Sequence, residues 1–160
     1  MSSLSFDIKT SKDFFKILLE DYKEFDGNRT SSRHALHCAI IAWHMIEWVH
    51  KEFESQLSED LFKKKIVQQC PSFEIMRDIA DGTKHSQLGR KNLLVKETEL
   101  HRGVFSEVFS REFDTSHLYV ILSDGAKIYF EDEIKKVVLF WTEYLKLKPD
   151  DMGEVVTPNQ

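Results

Sequence analysis

Over roughly the first 85 residues the apolar positions recur at helical spacing, and beyond that point they alternate with polar ones. Phe14, Leu18, Tyr22 and Phe25 form an apolar stripe that predicts a helix from about Ser11 to Phe25. Thr10 and Asp13 have the spacing of a capping box at its start, and Asp26, Gly27 and Asn28 close it. A longer helix is expected after Ser31 and Ser32, running to about Phe53. Placed at 100° intervals its residues leave almost no polar face, which makes it the central helix of the fold. Ser58, with Glu59 and Asp60 in the first turn, opens a third helix to Gln69. Cys70 stops it, because a residue before proline is pushed out of the α region. Ser72 is the expected cap of a fourth helix that starts at Phe73 and frays near Asp81 and Gly82.

From Leu93 onward Thr, Val and aromatic residues alternate with charged ones, and a sheet is expected. The clearest hairpin joins His117–Ser123 to Ala126–Phe130 through Asp124-Gly125, read as a two-residue type I′ turn. An earlier strand lies within Leu93–His101, and Gly103–Phe113 fits either a strand or a short helix. The last helix, about Asp132 to Leu147, turns Ile134, Val137, Val138, Trp141, Tyr144 and Leu145 to the core, and Pro149 ends it. Residues 150–160 have no periodicity and are expected to form a flexible tail.

The length fits one domain, residues 1–149, with a helical part over about 10–85 and the sheet plus last helix over about 92–147. Twelve Phe, three Trp and four Tyr belong to a packed globule rather than a disordered chain. No apolar run reaches the ~20 residues of a membrane span, and the N-terminus lacks a signal-peptide layout, so a soluble cytoplasmic protein with no membrane partner is expected. Cys38 and Cys70 show no Cys-x-x-Cys pattern and are read as buried thiols without a disulfide partner.

A net charge of −5 argues against broad nucleic-acid binding, yet residues 61–96 hold eight Lys and Arg against three carboxylates. A basic middle in an acidic chain suits a phosphate-bearing ligand, although solvated helix faces also produce such runs. Within it, Arg77 to His85 gathers two carboxylates, a guanidinium, an ammonium, a hydroxyl and an imidazole around Gly82. Such a set suits a phosphodiester: imidazole exchanges the proton of an attacking hydroxyl, and Arg and Lys neutralise the charge growing on phosphate oxygens. Gly82 would supply the turn that returns Lys84 and His85 toward Arg77 and Asp78. The plainer reading is a helix C-terminus with Gly82 as its cap and the basic pair opposing the helix dipole.

His34, His37, His44 and His50 all fall on the second helix. His37 and His44 share a face but lie about 10 Å apart along the axis, too far for one ion, so no metal site is expected. They read either as interior imidazoles or, with Glu47, Arg90 and Lys91, as ligand-binding residues of a pocket for a small phosphorylated ligand.

Long apolar helices followed by Arg77-Asp78 and a downstream His85 resemble the HEPN superfamily, small helical domains marked by Arg, a polar residue, four to six positions and His. Residue by residue, the resemblance makes Arg77 the motif arginine, Asp78 its polar neighbour and His85 its histidine; the seven residues between Arg77 and His85 make this spacing longer than the family's. Arg29 and His34 do have the family spacing but span a loop and a helix start. Ala42-Trp43-His44, Asp78 to His85 and Phe140-Trp141 also resemble a group of small bacterial proteins that brings no activity with it. The HEPN resemblance implies a metal-independent endoribonuclease without cofactor, acting on RNA and commonly as a homodimer. Arg77, Asp78, Lys84 and His85 would be its catalytic residues.

The expected fold is therefore α+β and predominantly α, a four-helix HEPN-like core with a small antiparallel sheet and a C-terminal helix. The competing expectation is a non-catalytic interaction or dimerisation module, in which the polar segment is structural and an exposed aromatic surface binds a partner.

Overall fold

The structure, a computed structural model, describes residues 4–86, 89, 92–146 and 148. Arg90, Lys91, Leu147 and the 150–160 tail lie outside the described residues. The element order is α1 (Ser11–Gly27), α2 (Ser32–Phe53), α3 (Glu59–Gln69), α4 (Ser72–His85), β1 (Val95–His101), β2 (His117–Leu122), β3 (Lys127–Tyr129) and α5 (Phe130–Lys146).

Local chemistry accounts for most of the helix starts. The Thr10 hydroxyl accepts from the Asp13 N–H while the Asp13 carboxylate accepts from the Thr10 N–H, a complete capping box. Ser31 and Ser58 cap α2 and α3 by accepting from the main chain three residues on. Ser72 departs from expectation. It lies inside α4 behind Pro71, and its hydroxyl donates to Glu133 on α5, so it fastens two helices instead of capping one.

Helices α1, α2, α4 and α5 form a closed ring of packed neighbours, and α2 also packs on α3. One apolar cluster fills the ring, with Phe15, Leu18, Met45, Ile46, Phe73, Met76, Ile134 and Trp141 buried. Each such side chain contributes on the order of 1.5–3 kcal/mol by leaving water. On α1 it is Phe15 that is fully buried; Phe14 is partly buried and stacks on Trp48 at 4.8 Å. The Trp141 indole sits between the rings of Phe73 and Tyr144 and donates to the Ala42 carbonyl at 3.3 Å, tying α5 to the middle of α2. Cys38 and Cys70 are buried free thiols, and burial raises the pKa of both, Cys38 to about 12. No helix among the described residues is long and apolar enough to cross a membrane.

The sheet is an antiparallel meander in the order β1-β2-β3. The β2–β3 connection differs from the expected type I′ turn. Leu122 donates to the Ala126 carbonyl across a three-residue loop, and only Gly125, at φ +88°, takes a left-handed conformation there. Segment 103–113 is neither strand nor helix; together with its flanks it forms an excursion between β1 and β2.

Candidate functional site

Helix α4 continues through Gly82 to His85, and Ser86, at φ +55°, ends it. The expected cap and turn at Gly82 are thereby overturned: nothing breaks the main-chain ladder there, and Thr83 adds a hydroxyl bond to the Ile79 carbonyl at 2.9 Å. Because the segment is helical, Arg77 and His85 lie about 12 Å apart along the axis and roughly 80° apart around it. Lys84 falls on Arg77's side but about 10 Å further on. The three groups therefore do not converge at one point on the helix surface.

The four expected catalytic residues face different surroundings. Arg77 is partly buried and engaged with Glu74 at 3.1 Å and Asp78 at 3.2 Å. It lines a cleft of about 390 Å³ with Trp43, Asp60, Lys63 and Lys64. Asp78 is buried, and its second carboxylate oxygen accepts from the main-chain N–H groups of Leu94 at 2.9 Å and Val95 at 3.0 Å. It is the latch by which α4 holds the start of β1. Lys84 and His85 stand exposed on the last turn, where the Lys84 ammonium opposes the negative end of the helix dipole. They line neither the Arg77 cleft nor the open groove, about 630 Å³, between α4 and β1.

The expectation of interior imidazoles is corrected. His37 and His44 are not interior, since about half of each side chain is exposed. His37 faces Asp21 on α1, and His44 faces Glu47, both at 3.8 Å. Glu47 is 3.3 Å from Lys63, whose ammonium also meets Glu59 at 2.6 Å and lies over the Trp43 ring. Lys63 and Arg77 near Trp43 are thus already paired with carboxylates, and the indole is almost fully covered. The Glu47–Lys63 pair ties α2 to α3, while Arg77 pairs within α4. Among the described residues, no three His, Cys, Asp or Glu side chains converge as metal ligands.

The most unusual surface lies at the β1–β2 excursion. Its base is closed by Phe105 donating to the Asp114 carbonyl at 2.9 Å and by the Gly103 N–H donating to the Ser116 hydroxyl at 3.0 Å. A Cβ on Gly103 would fall 2.1 Å from the Asp114 carbonyl oxygen, so only glycine allows the two strands of the base to approach this closely. His101 bonds Asp114 at 2.5 Å, and that bond, followed by the Val104 N–H, lowers the pKa of this carboxyl. Arg111 reaches back to α5, donating twice to Asp132 at 2.8 Å with its guanidinium 3.9 Å from the Tyr129 ring centre. The Asp132 bonds hold the guanidinium protonated far above its ordinary range, and Arg111 lowers the pKa of Asp132 in return.

Above this base Phe105, Phe109 and Phe113 pack on one another, with centroids 5.3–5.6 Å apart in tilted and edge-on pairs. They are nonetheless 43–49% exposed, and Val104 and Val108 beside them are 82% and 93% exposed. None of the five belongs to the core cluster. The sequence signal was the four-residue spacing of the phenylalanines, which mimics a helix stripe. Tyr119, Tyr129, His101 and His117 make a second ring cluster on the outer sheet face, but Lys127 and Arg111 already cover Tyr119 and Tyr129. Burial and the Tyr129 hydroxyl raise the Tyr119 pKa to about 12.

The chain matches no protein-family model, and neither the curated proteins nor the solved structures contain a match to it.

Proposed function

We propose that this chain is a non-catalytic protein-interaction module whose contact surface is the excursion between β1 and β2. The observation that carries the reading is the self-packed phenylalanine triad with Val104 and Val108, held out from the core on a braced base. Contiguous exposed apolar side chains with a polar surround mark contact sites, and aromatic residues dominate the energetics of such sites. The separation of Arg77 from His85 and the latch role of Asp78 point the same way, because they give the polar segment a structural task. Affinity capture by the tagged chain tests the reading, with Val108→Glu and a Phe109→Ser, Phe113→Ser double variant as controls. A protein held by wild type and lost by both variants supports it; identical capture by all three overturns it.

The metal-independent endoribonuclease of HEPN type is the second reading. The ring of α1, α2, α4 and α5, with Arg77 and His85 on one of its helices, favours a HEPN-like core, and Lys84 and His85 stand side by side in solvent. Since one chain separates Arg77 from His85, a composite site would take His85 from one copy and Arg77 from another. Labelled RNA incubated in EDTA with wild type, His85→Ala and Arg77→Ala tests it. Cleavage lost in both variants supports the enzyme; intact RNA with folded wild type removes it.

A further inference from the structure

We infer that the groove between the helical layer and the inner face of β1 binds a small monocarboxylic acid with an apolar body, its carboxylate meeting Lys96. The site is separate from the phenylalanine excursion and does not rest on the interaction reading. β1 pairs with β2 so that Thr98 stands opposite Val120 and Leu100 opposite Leu118, which puts all four side chains on one face of the sheet. Val120 on that face is fully buried, yet Thr98 is exposed and Leu100 is 38% exposed. The helical layer thus closes over β2 and stops short of β1. Between the layers lies a chamber of about 200 Å³, bordered by Ala35, Leu36, Ile79, Leu118, Val120 and Phe130 among others. Leu36, Ile79 and Thr98 also border the wider groove of about 630 Å³ between α4 and β1, so the two spaces adjoin.

The lining decides the class of ligand. Apolar space on the order of 150 Å³ takes one benzene ring, so the inner chamber fits a single aromatic ring or a short alkyl chain. A β-bulge sets the charge at the mouth. The β1–β2 register shifts between Val95 and Glu97, and Lys96, the extra residue, borders the wider groove together with Val95. Lys96 has no hydrogen bond or ion pair among the described residues. The carboxylates that border the two spaces are engaged, Asp78 by Arg77 and the Leu94 and Val95 N–H groups, Glu99 by Lys127 at 3.1 Å. Glu97 borders neither space. One ammonium without a counter-charge is therefore left at the groove, and a singly charged carboxylate is its complement. Leu100 and Lys96 are about 13 Å apart along the strand, a span that a phenylalkanoic acid and an extended lysine side chain cover between them.

Titration of the isotope-labelled full chain with phenylacetate and hexanoate, followed by amide NMR, tests the inference; hexylamine and hexanol present the same alkyl body without the anion. Both acids are expected to give saturating shifts at Thr98, Leu100 and Leu118 with dissociation constants on the order of 1 mM or lower, and hexylamine should bind at least about tenfold more weakly. Lys96→Glu alters an exposed side chain, and circular dichroism checks that the fold is kept. It should weaken both acids about tenfold or more and leave hexanol unaffected. Thr98→Trp, at an exposed strand position that accepts an aromatic, fills the junction of the two spaces and should abolish binding of acids and alcohol alike. The inference is overturned by an absence of saturable shifts, by shifts confined to other parts of the chain, by hexanol binding as tightly as hexanoate, or by acid binding that Lys96→Glu leaves unchanged.

Discussion

Asp78 shows how a residue with catalytic credentials is committed to architecture. Its carboxylate takes two main-chain N–H groups at the point where the chain returns from α4 to β1, and its other oxygen faces Arg77. Asp78→Ala should cost about 2–4 kcal/mol in urea denaturation, because it leaves two main-chain donors without an acceptor, and Asp78→Asn should cost less since it keeps one oxygen. His85→Ala should leave the midpoint unchanged, because His85 is exposed. Glu54 is another buried carboxylate with a task. Lys148 at 2.7 Å and the Tyr144 hydroxyl at 2.8 Å hold its pKa down to about 2, against the opposing effect of burial. A lowered folded pKa contributes stability that is complete above about pH 4.5 and fades as pH falls toward 2. Glu54→Gln should therefore lower the urea midpoint at pH 7, and the gap from wild type should shrink in a series from pH 4 to pH 2.

At the scale of elements, what could be read from sequence was whatever is encoded within a few neighbouring residues. The Thr10–Asp13 box, the serine caps and the apolar stripes put α1, α2, α3 and α5 close to their observed positions, because those signals act within one or two turns. Gly82 misled for the same reason: glycine is the usual helix end, but here Ile79 and Ala80 are still packed into the core, and that packing carries the helix past it. Nothing lies within 4 Å of a Cβ built on Gly82, so Gly82→Ala should raise stability by about 0.5–1 kcal/mol, measurable as a higher melting temperature. A fall in stability would mean that the last turn of α4 needs glycine's freedom after all. Gly103 is its counterpart. The neighbours that forbid a side chain there, Asp114 and Thr115, are eleven and twelve residues away, so nothing local revealed it. Gly103→Ala should open the base of the excursion, speed hydrogen exchange at the Phe105 amide and weaken capture of a partner protein, with the helical signal unchanged.

The molecule as a whole joins a well-filled helical ring to an apolar surface that its own core does not use. Composition announced the aromatic content but not its division, because a phenylalanine stripe at four-residue spacing reads alike whether it meets a core, as on a helix, or stands in solvent, as at Phe105, Phe109 and Phe113. The candidate polar site was equally legible as a list of residues and illegible as a geometry, since only an unbroken α4 shows that Arg77 and His85 point to different places. That division has a thermodynamic consequence at this scale. If a partner protein covers the excursion, folding and binding are linked, and the folded state gains free energy with the logarithm of the partner's concentration once that exceeds the dissociation constant. Wild type should therefore melt at a higher temperature when a protein captured by it is added in excess, while Val108→Glu should melt at one temperature throughout. Equal melting of both proteins with and without that protein would show that the excursion contributes nothing to binding. A rise shared by both would place the contact on another face of the molecule.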